Sequence, residues 1–299
     1  VSLTAHQFFR IVEIRTKIVS VSTLLIAHLY LLAQGFQLNL TNLILTVSAA
    51  LLVDMGTTGF NTFFDYEHQV DHREHNREED KVLVHQQVPP AYALLISAGL
   101  FTIAIVLGFI LILRTGWPLL ILGVLSLSAG YLYSGGPKPI SRTPLGELFA
   151  GGFLGSILFF VVVLSQNVPI SSGVILSSLP STIFIAGILT VNNTCDIEGD
   201  AKAGRKTLSI LLGYRLSKVL IYGEITLAYL IALLVSDIHL PRLLLVTVGW
   251  GVSVILIGRA ISRGLSHQRK GPSMGAISKS FIVFTLTYAA SLALEYLSS

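Results

Sequence analysis

Stretches of about 20 apolar residues recur along this chain from near its start to its end, and no other feature limits its fold as strongly. A helix rises about 1.5 Å per residue, so such a stretch matches the roughly 30 Å hydrocarbon core of a bilayer. Nine candidate spans can be read: roughly 18–35, 39–60, 91–113, 116–133, 147–165, 173–194, 217–236, 243–262 and 278–297. Of these, 116–133 and 147–165 are short for the task. Only 12% of the residues are charged, about half the proportion of a soluble domain, so water is not the expected solvent for most of the surface. The expected fold class is all-α, a single polytopic bundle of nine transmembrane helices. No cleavable leader is expected, because the first apolar run follows a charged segment. The single cysteine, Cys195, excludes an intramolecular disulfide and a Cys-rich zinc site. The net charge of +4 is modest, and no nucleic-acid partner is expected.

The basic residues orient the bundle. With the N-terminus in the cytoplasm, nine crossings put all of the 20 Lys and Arg residues except Arg114 and Arg242 on the inner side. The expected setting is a cell membrane, with the long inner connections on its cytoplasmic side. The outer connections are then short. The inner ones, 61–90, 134–146, 195–216 and 263–277, are long and polar, and connections of that length in a compact protein usually carry function.

The acidic residues are not scattered. Of 16, seven lie between Asp65 and Asp80 and three between Asp196 and Asp200. Asn61 and Asp65 recur as Asn192 and Asp196, with Asn193 and Asp200 beside them. Four spans separate the two groups, so both return to the same face. Residues four apart share one side of a helix; Asn61 therefore stacks with Asp65, and Asn192 with Asp196 and Asp200. Asp71 serves from the loop if the helix ends near Gln69. Oxygen-only ligands with open positions suit Mg²⁺, which is commonly shared between carboxylates and substrate phosphates. Arg73, Arg77, Lys81, Lys138, Arg142, Lys202, Arg205 and Lys206 could hold the same phosphates. Four acids further along the first loop, Glu74, Glu78, Glu79 and Asp80, read as a solvated charge run. His68 and His72 have metal-ligand spacing but no matched second pair, so zinc is not expected.

Asp54 and Glu224 are carboxyls well inside spans. Asp54 lies two turns below Asn61 on the same face and is a candidate to line the cavity. Phe60, Phe63, Phe64 and Tyr66 could shield a cation or pack between helices. The glycines of Gly151-Gly152-Phe153-Leu154-Gly155 suit close helix packing.

At the two Asn/Asp motifs the sequence resembles the UbiA-type superfamily of intramembrane aromatic prenyltransferases. Asn61, Asp65 and Asp71 stand at that family's first motif, and Asp196 and Asp200 at its second. Within the family the chain looks most like the 1,4-dihydroxy-2-naphthoate prenyltransferases. The long Asn-x3-Asp-x5-Asp spacing, the loop from Tyr133 to Glu147, and the run from Asn192 through Gly204-Arg205-Lys206-Thr207 carry that likeness. Cys195 departs from it, standing where that branch usually has Arg. The resemblance implies two Mg²⁺ ions, one held by Asp65 and Asp71 with Asn61, the other by Asp196 and Asp200 with Asn192 or Asn193. It implies a polyprenyl diphosphate as donor, an aromatic acceptor, a lipid bilayer as the medium, and loops 61–90 and 134–146 as lids. Prenylation of 4-hydroxybenzoate is the rival within the family. A carrier for a phosphorylated lipid is the rival outside it.

Overall fold

The structure, a computed structural model, describes residues 3–68, 81–235 and 239–298. Among them there are helices and turns and no strand. Nine long helices follow one another: α1 (Ile18–Ala33), α2 (Leu40–Glu67), α3 (Pro90–Thr115), α4 (Pro118–Leu132), α5 (Gly146–Ser165), α6 (Ser172–Cys195), α7 (Leu208–Leu234), α8 (Leu240–Ser262) and α9 (Lys270–Ser298). Their starts follow from local chemistry. Asn39, Ser171 and Thr207 each accept a backbone N–H of the first turn, while α3 and α4 open on Pro90 and Pro118, whose missing N–H costs nothing at a helix start. Among the described residues, eight helices are long and apolar enough to cross a membrane; α4, with 15 residues, is the shorter exception.

The two ends of the bundle are pinned by different contacts. At one end Asn42 donates to the Ser165 carbonyl at 2.7 Å and accepts from Arg114 Nε at 2.6 Å. Gln166 there accepts from the Asn39 N–H at 2.7 Å. The α1–α2, α3–α4 and α5–α6 turns therefore share one end. At the other end Ser134 donates to the Asn61 side-chain oxygen, Arg142 donates to the Ala203 carbonyl at 2.8 Å, and the Lys206 N–H donates to the Arg142 carbonyl at 2.9 Å. With residue 114 at one end and Ser134 at the other, α4 has to run from end to end, although it is only about 22 Å long.

The core sits between α1, α5, α6, α7 and α9. Phe184 of α6 stacks on Phe284 of α9 with ring centroids 4.8 Å apart, and Tyr229 of α7 meets Phe284 edge-on. A separate aromatic group joins α2, α3 and α4: Phe60 contacts Phe101 and Tyr131, and Phe64 contacts Tyr131. Phe60, Phe63 and Phe64 thus pack helices together, and Tyr66 is exposed. The glycines of α5 admit close approach to α6. A β-carbon at Gly155 would lie 2.4 Å from Thr182 Oγ1 and 2.5 Å from Thr182 Cα. The same segment, Gly152–Ile157, is a π turn, the bulge that shifts register within an α-helix.

Asp54 stands apart from the cavity. Lys17 Nζ donates to Asp54 Oδ1 at 2.6 Å, Ser20 donates to Oδ2, and both partners of the ion pair are buried. It fastens α1 to α2. Glu224 accepts from Thr190 Oγ1 at 3.0 Å and packs on Gly187, joining α6 to α7.

Candidate active site

A cavity of about 1700 Å³ opens at the end of the bundle where α2 and α6 finish. Its mouth carries Asn61, Asp65, Asn192, Asn193, Asp196, Asp200, Lys202 and Arg205, and Val19, Leu154, Ile185, Ile188 and Phe281 provide apolar wall. The polar set comes from two helix ends. Asn61 and Asp65 are one turn apart near the end of α2. Asn192, Asn193 and Asp196 finish α6, and the short helix Ile197–Lys202 carries Asp200 one turn on, its N–H donating to the Asp196 carbonyl at 2.8 Å.

The next turn brings the two motifs together. Gly204 has φ +72°, a left-handed conformation open to glycine, and it reverses the chain after Lys202. The Arg205 N–H then donates back to the Asp200 carbonyl at 2.9 Å. Its guanidinium spans the mouth: one nitrogen lies 3.2 Å from Asp200 Oδ1 and the other 3.1 Å from Asp65 Oδ1. Two carboxylates 135 residues apart in sequence share one cation. A planar fork of donors can do this where a lysine ammonium could not hold the same geometry.

Asp196 has other partners. Lys270 Nζ lies 2.8 Å from its Oδ2 and His267 Nδ1 2.9 Å from its Oδ1, both from the start of α9 and the turn before it. Burial pushes the Asp196 carboxyl up, but the charge and hydrogen bond of Lys270, with His267, outweigh burial and hold it below the usual carboxylate value. Asp200 goes the other way. Burial raises it, the nearby Asp196 charge adds to that, and Arg205 opposes without prevailing. Asp200 Oδ2 is buried and has no hydrogen-bond partner among the described residues.

Other expected residues are distributed unevenly. Lys138 is exposed and does not line the cavity, and Arg142 ties the 134–146 loop to the turn after Lys202. Asp54 is paired with Lys17, as described. Asp71, Arg73 and Arg77 lie outside the described residues. Three contributors were not singled out in the sequence: His267 and Lys270, read only as part of the 263–277 connection, and the first helix, Ala5–Ile11. That helix begins with a capping box between Thr4 and Gln7 and buries Ile11 against Val82, Leu83 and Val88. Thr62 donates to the Ile11 carbonyl at 3.0 Å, and Phe9, Arg10 and Glu13 face the cavity. The Thr4-x-x-Gln7 pattern ahead of an apolar stripe was the available signal.

The family model for the UbiA prenyltransferase family matches residues 20–290. The chain belongs to the UbiA prenyltransferase family. It is 34% identical over 200 residues to the 1,4-dihydroxy-2-naphthoate octaprenyltransferase of Bacillus subtilis (strain 168), a match covering 66% of this chain and 64% of that relative. It is 23% identical over 265 residues to the enzyme of the same name from Mycobacterium tuberculosis, with 86% of each chain covered. Among solved structures, a UbiA homolog from Archaeoglobus fulgidus bound to GPP and Mg²⁺ superposes with a TM-score of 0.65 at 15% identity, over 95% of this chain and 99% of that one. A digeranylgeranylglyceryl phosphate synthase gives the same TM-score over 96% and 97% of the two chains, at 17% identity. These two establish a shared fold.

Proposed function

We propose that this UbiA-family chain transfers a polyprenyl group from an allylic polyprenyl diphosphate to 1,4-dihydroxy-2-naphthoate, releasing diphosphate and CO₂. One observation carries the reading: the carboxylates of both motifs meet on Arg205 at the polar mouth of a large, mostly apolar cavity. The relatives that act on this acceptor by name support its identity.

The donor set fits Mg²⁺. Asp65, Asp196, Asp200 and the amides of Asn61 and of Asn192 or Asn193 are hard oxygen ligands, and Asp200 Oδ2 is a buried acceptor with no hydrogen-bond partner among the described residues. Among the described residues no three His, Cys, Asp or Glu side chains converge as a ready-made cage. That is the expected condition for an ion held by one or two carboxylates and completed by substrate phosphates. Asp71 completes the first proposed ligand set. When bound, the metal supplies positive charge against the diphosphate oxygens.

The chain's own side chains do the rest. Arg205 and Lys270 stand where a diphosphate displaces their carboxylate partners, Lys202 lines the same cavity, and all three stabilise the charge that accumulates as it departs. The carbon–oxygen bond to the isoprenoid breaks with both electrons leaving on diphosphate. The ring carbon that bears the carboxylate gives a pair to the allylic carbon, and the carbon–carboxylate pair returns to the ring as CO₂ leaves. The product is a demethylmenaquinone in its reduced form. Apolar wall residues such as Leu154, Ile185 and Phe281 keep water from the allylic cation and receive the tail, at about 0.8 kcal/mol for each buried CH₂. In this reading the chain crosses the plasma membrane nine times with its N-terminus and active site cytoplasmic. The distribution of basic residues and the end-to-end course of α4 support it.

Purified protein in vesicles, given a polyprenyl diphosphate, Mg²⁺ and either 1,4-dihydroxy-2-naphthoate or 4-hydroxybenzoate, tests this by mass spectrometry. A decarboxylated prenyl naphthoquinol is expected. Product from 4-hydroxybenzoate alone would overturn the acceptor. Absence of diphosphate release with either would overturn the enzyme reading in favour of a carrier.

A further inference from the structure

Glu147, the second residue of α5, is a buried carboxyl that the site described above does not use. Its Oε1 accepts from Asn193 Nδ2 at 2.8 Å, and its Oε2 is buried with no hydrogen-bond partner among the described residues. A half-satisfied carboxyl in such surroundings is costly, and an apolar side chain of similar size would pack there without that cost. A carboxylate oxygen only accepts, so it dictates which end of the Asn193 amide faces it: the NH₂ group. The Asn193 oxygen is thereby turned the other way, toward Asn192, whose Nδ2 approaches it at 3.5 Å. With its NH₂ engaged on its neighbour, Asn192 has its own oxygen left for the cavity. Both asparagines line that cavity and Glu147 does not. Asn192 also lies one helical turn before Asp196, on the same face.

We propose that Glu147 is a positioning residue: through Asn193 it orients the Asn192 amide so that an oxygen, not an NH₂ group, faces a divalent cation beside Asp196. This rests on the reading of the cavity mouth as a metal–diphosphate site. Neither asparagine can choose its orientation alone, because an amide presents an acceptor and a donor of nearly equal size. The fixed acceptor behind the wall makes the choice.

The test is Mn²⁺ affinity, followed by electron paramagnetic resonance in the presence of geranyl thiodiphosphate, on purified protein. Glu147→Met, which removes the acceptor, is expected to weaken Mn²⁺ binding by about 10- to 100-fold, the usual effect of losing a partner that orients a metal ligand. Glu147→Gln, which keeps an acceptor oxygen, should recover at least half of that loss on a logarithmic scale. In an Asn192→Ala background Glu147→Met should change affinity by less than about twofold, because the amide it positions is gone. Wild-type affinity in Glu147→Met, or a loss that multiplies with that of Asn192→Ala, would overturn the proposal. If Glu147→Met does not fold, Asn193→Ala breaks the same relay and must show the same loss and the same lack of additivity; otherwise the proposal fails. Wild-type protein that binds no Mn²⁺ refutes the metal–diphosphate reading and this proposal with it. Binding that Asp200→Asn abolishes and Glu147→Met leaves intact refutes this proposal alone.

Discussion

Two acidic sites on α2 contain the same residue type 11 positions apart and behave as opposites. Asp54 is enclosed: Lys17 and Ser20 take one carboxylate oxygen each, and the pair is buried between α1 and α2. Asp65 is at the cavity mouth, sharing Arg205 with Asp200, whose second oxygen has no hydrogen-bond partner among the described residues. A carboxylate whose oxygens are all met inside the protein is part of the scaffold. One whose cation is shared across an open cavity can exchange that cation for a ligand. The difference lies in where the partner cation stands, closed between two helices for Asp54 and lining a cavity for Asp65, and it separates structure from function more sharply than burial does.

The comparison can be broken at either site. Asp54→Ala leaves Lys17 as a buried, uncompensated cation and should cost about 3–5 kcal/mol. The expected result is early loss of the monodisperse peak when the detergent-solubilised protein is heated, with the activity of the surviving fraction close to wild type. Arg205→Ala should do the reverse. Prenylation should fall by about 10²- to 10³-fold, the usual penalty for removing one donor from a site of developing negative charge, with little change on heating. Arg205→Lys should recover only part of it, because one ammonium does not replace a fork that spans two carboxylates.

How much of this was legible beforehand varied with the physics involved. Helix positions came from apolar run length, a strong local signal, and the nine stretches correspond to α1–α9. The start of α7 was placed late, at 217 rather than Leu208, because Gly213 and Arg215 interrupt the apolar run that begins at Leu208; Gly213, with φ +68°, also breaks the helical dihedral pattern. The paired motifs were readable because helical spacing is local and the count of crossings fixes which end each occupies. Arg205 was a candidate among eight cations, but its bridging role depends on the reversal at Gly204. His267 and Lys270 were seen only as part of a basic loop, since their approach to Asp196 depends on how α9 packs on α6. For Asp54 the sequence put it on the same face as Asn61, and only the tertiary position of Lys17 decides what it touches. The role of Gly151 and Gly155 in close packing was read correctly from spacing alone.

Two smaller effects sharpen the contrast between scaffold and site. Gly155→Ala would drive a methyl group into the backbone of Thr182 and should cost about 1–3 kcal/mol, as overpacking does. Its check is the same heating assay, with the Mg²⁺ dependence of surviving activity unchanged. Lys138→Ala is expected to alter the rate by less than about twofold, since its exposed side chain is not part of the cavity wall. Steady-state kinetics across Mg²⁺ concentrations would check it, and a large loss would put the 134–146 loop over the substrate.

The central claim is that the two motifs form one site. A double-mutant cycle on the Mg²⁺-dependent prenylation rate, with Asp65→Asn and Asp200→Asn, tests it most directly. Each single change should cost about 10²-fold or more, and the double variant little beyond the worse single, as for groups that act as a unit. Losses that multiply, or either single variant working near the wild-type rate, would contradict it.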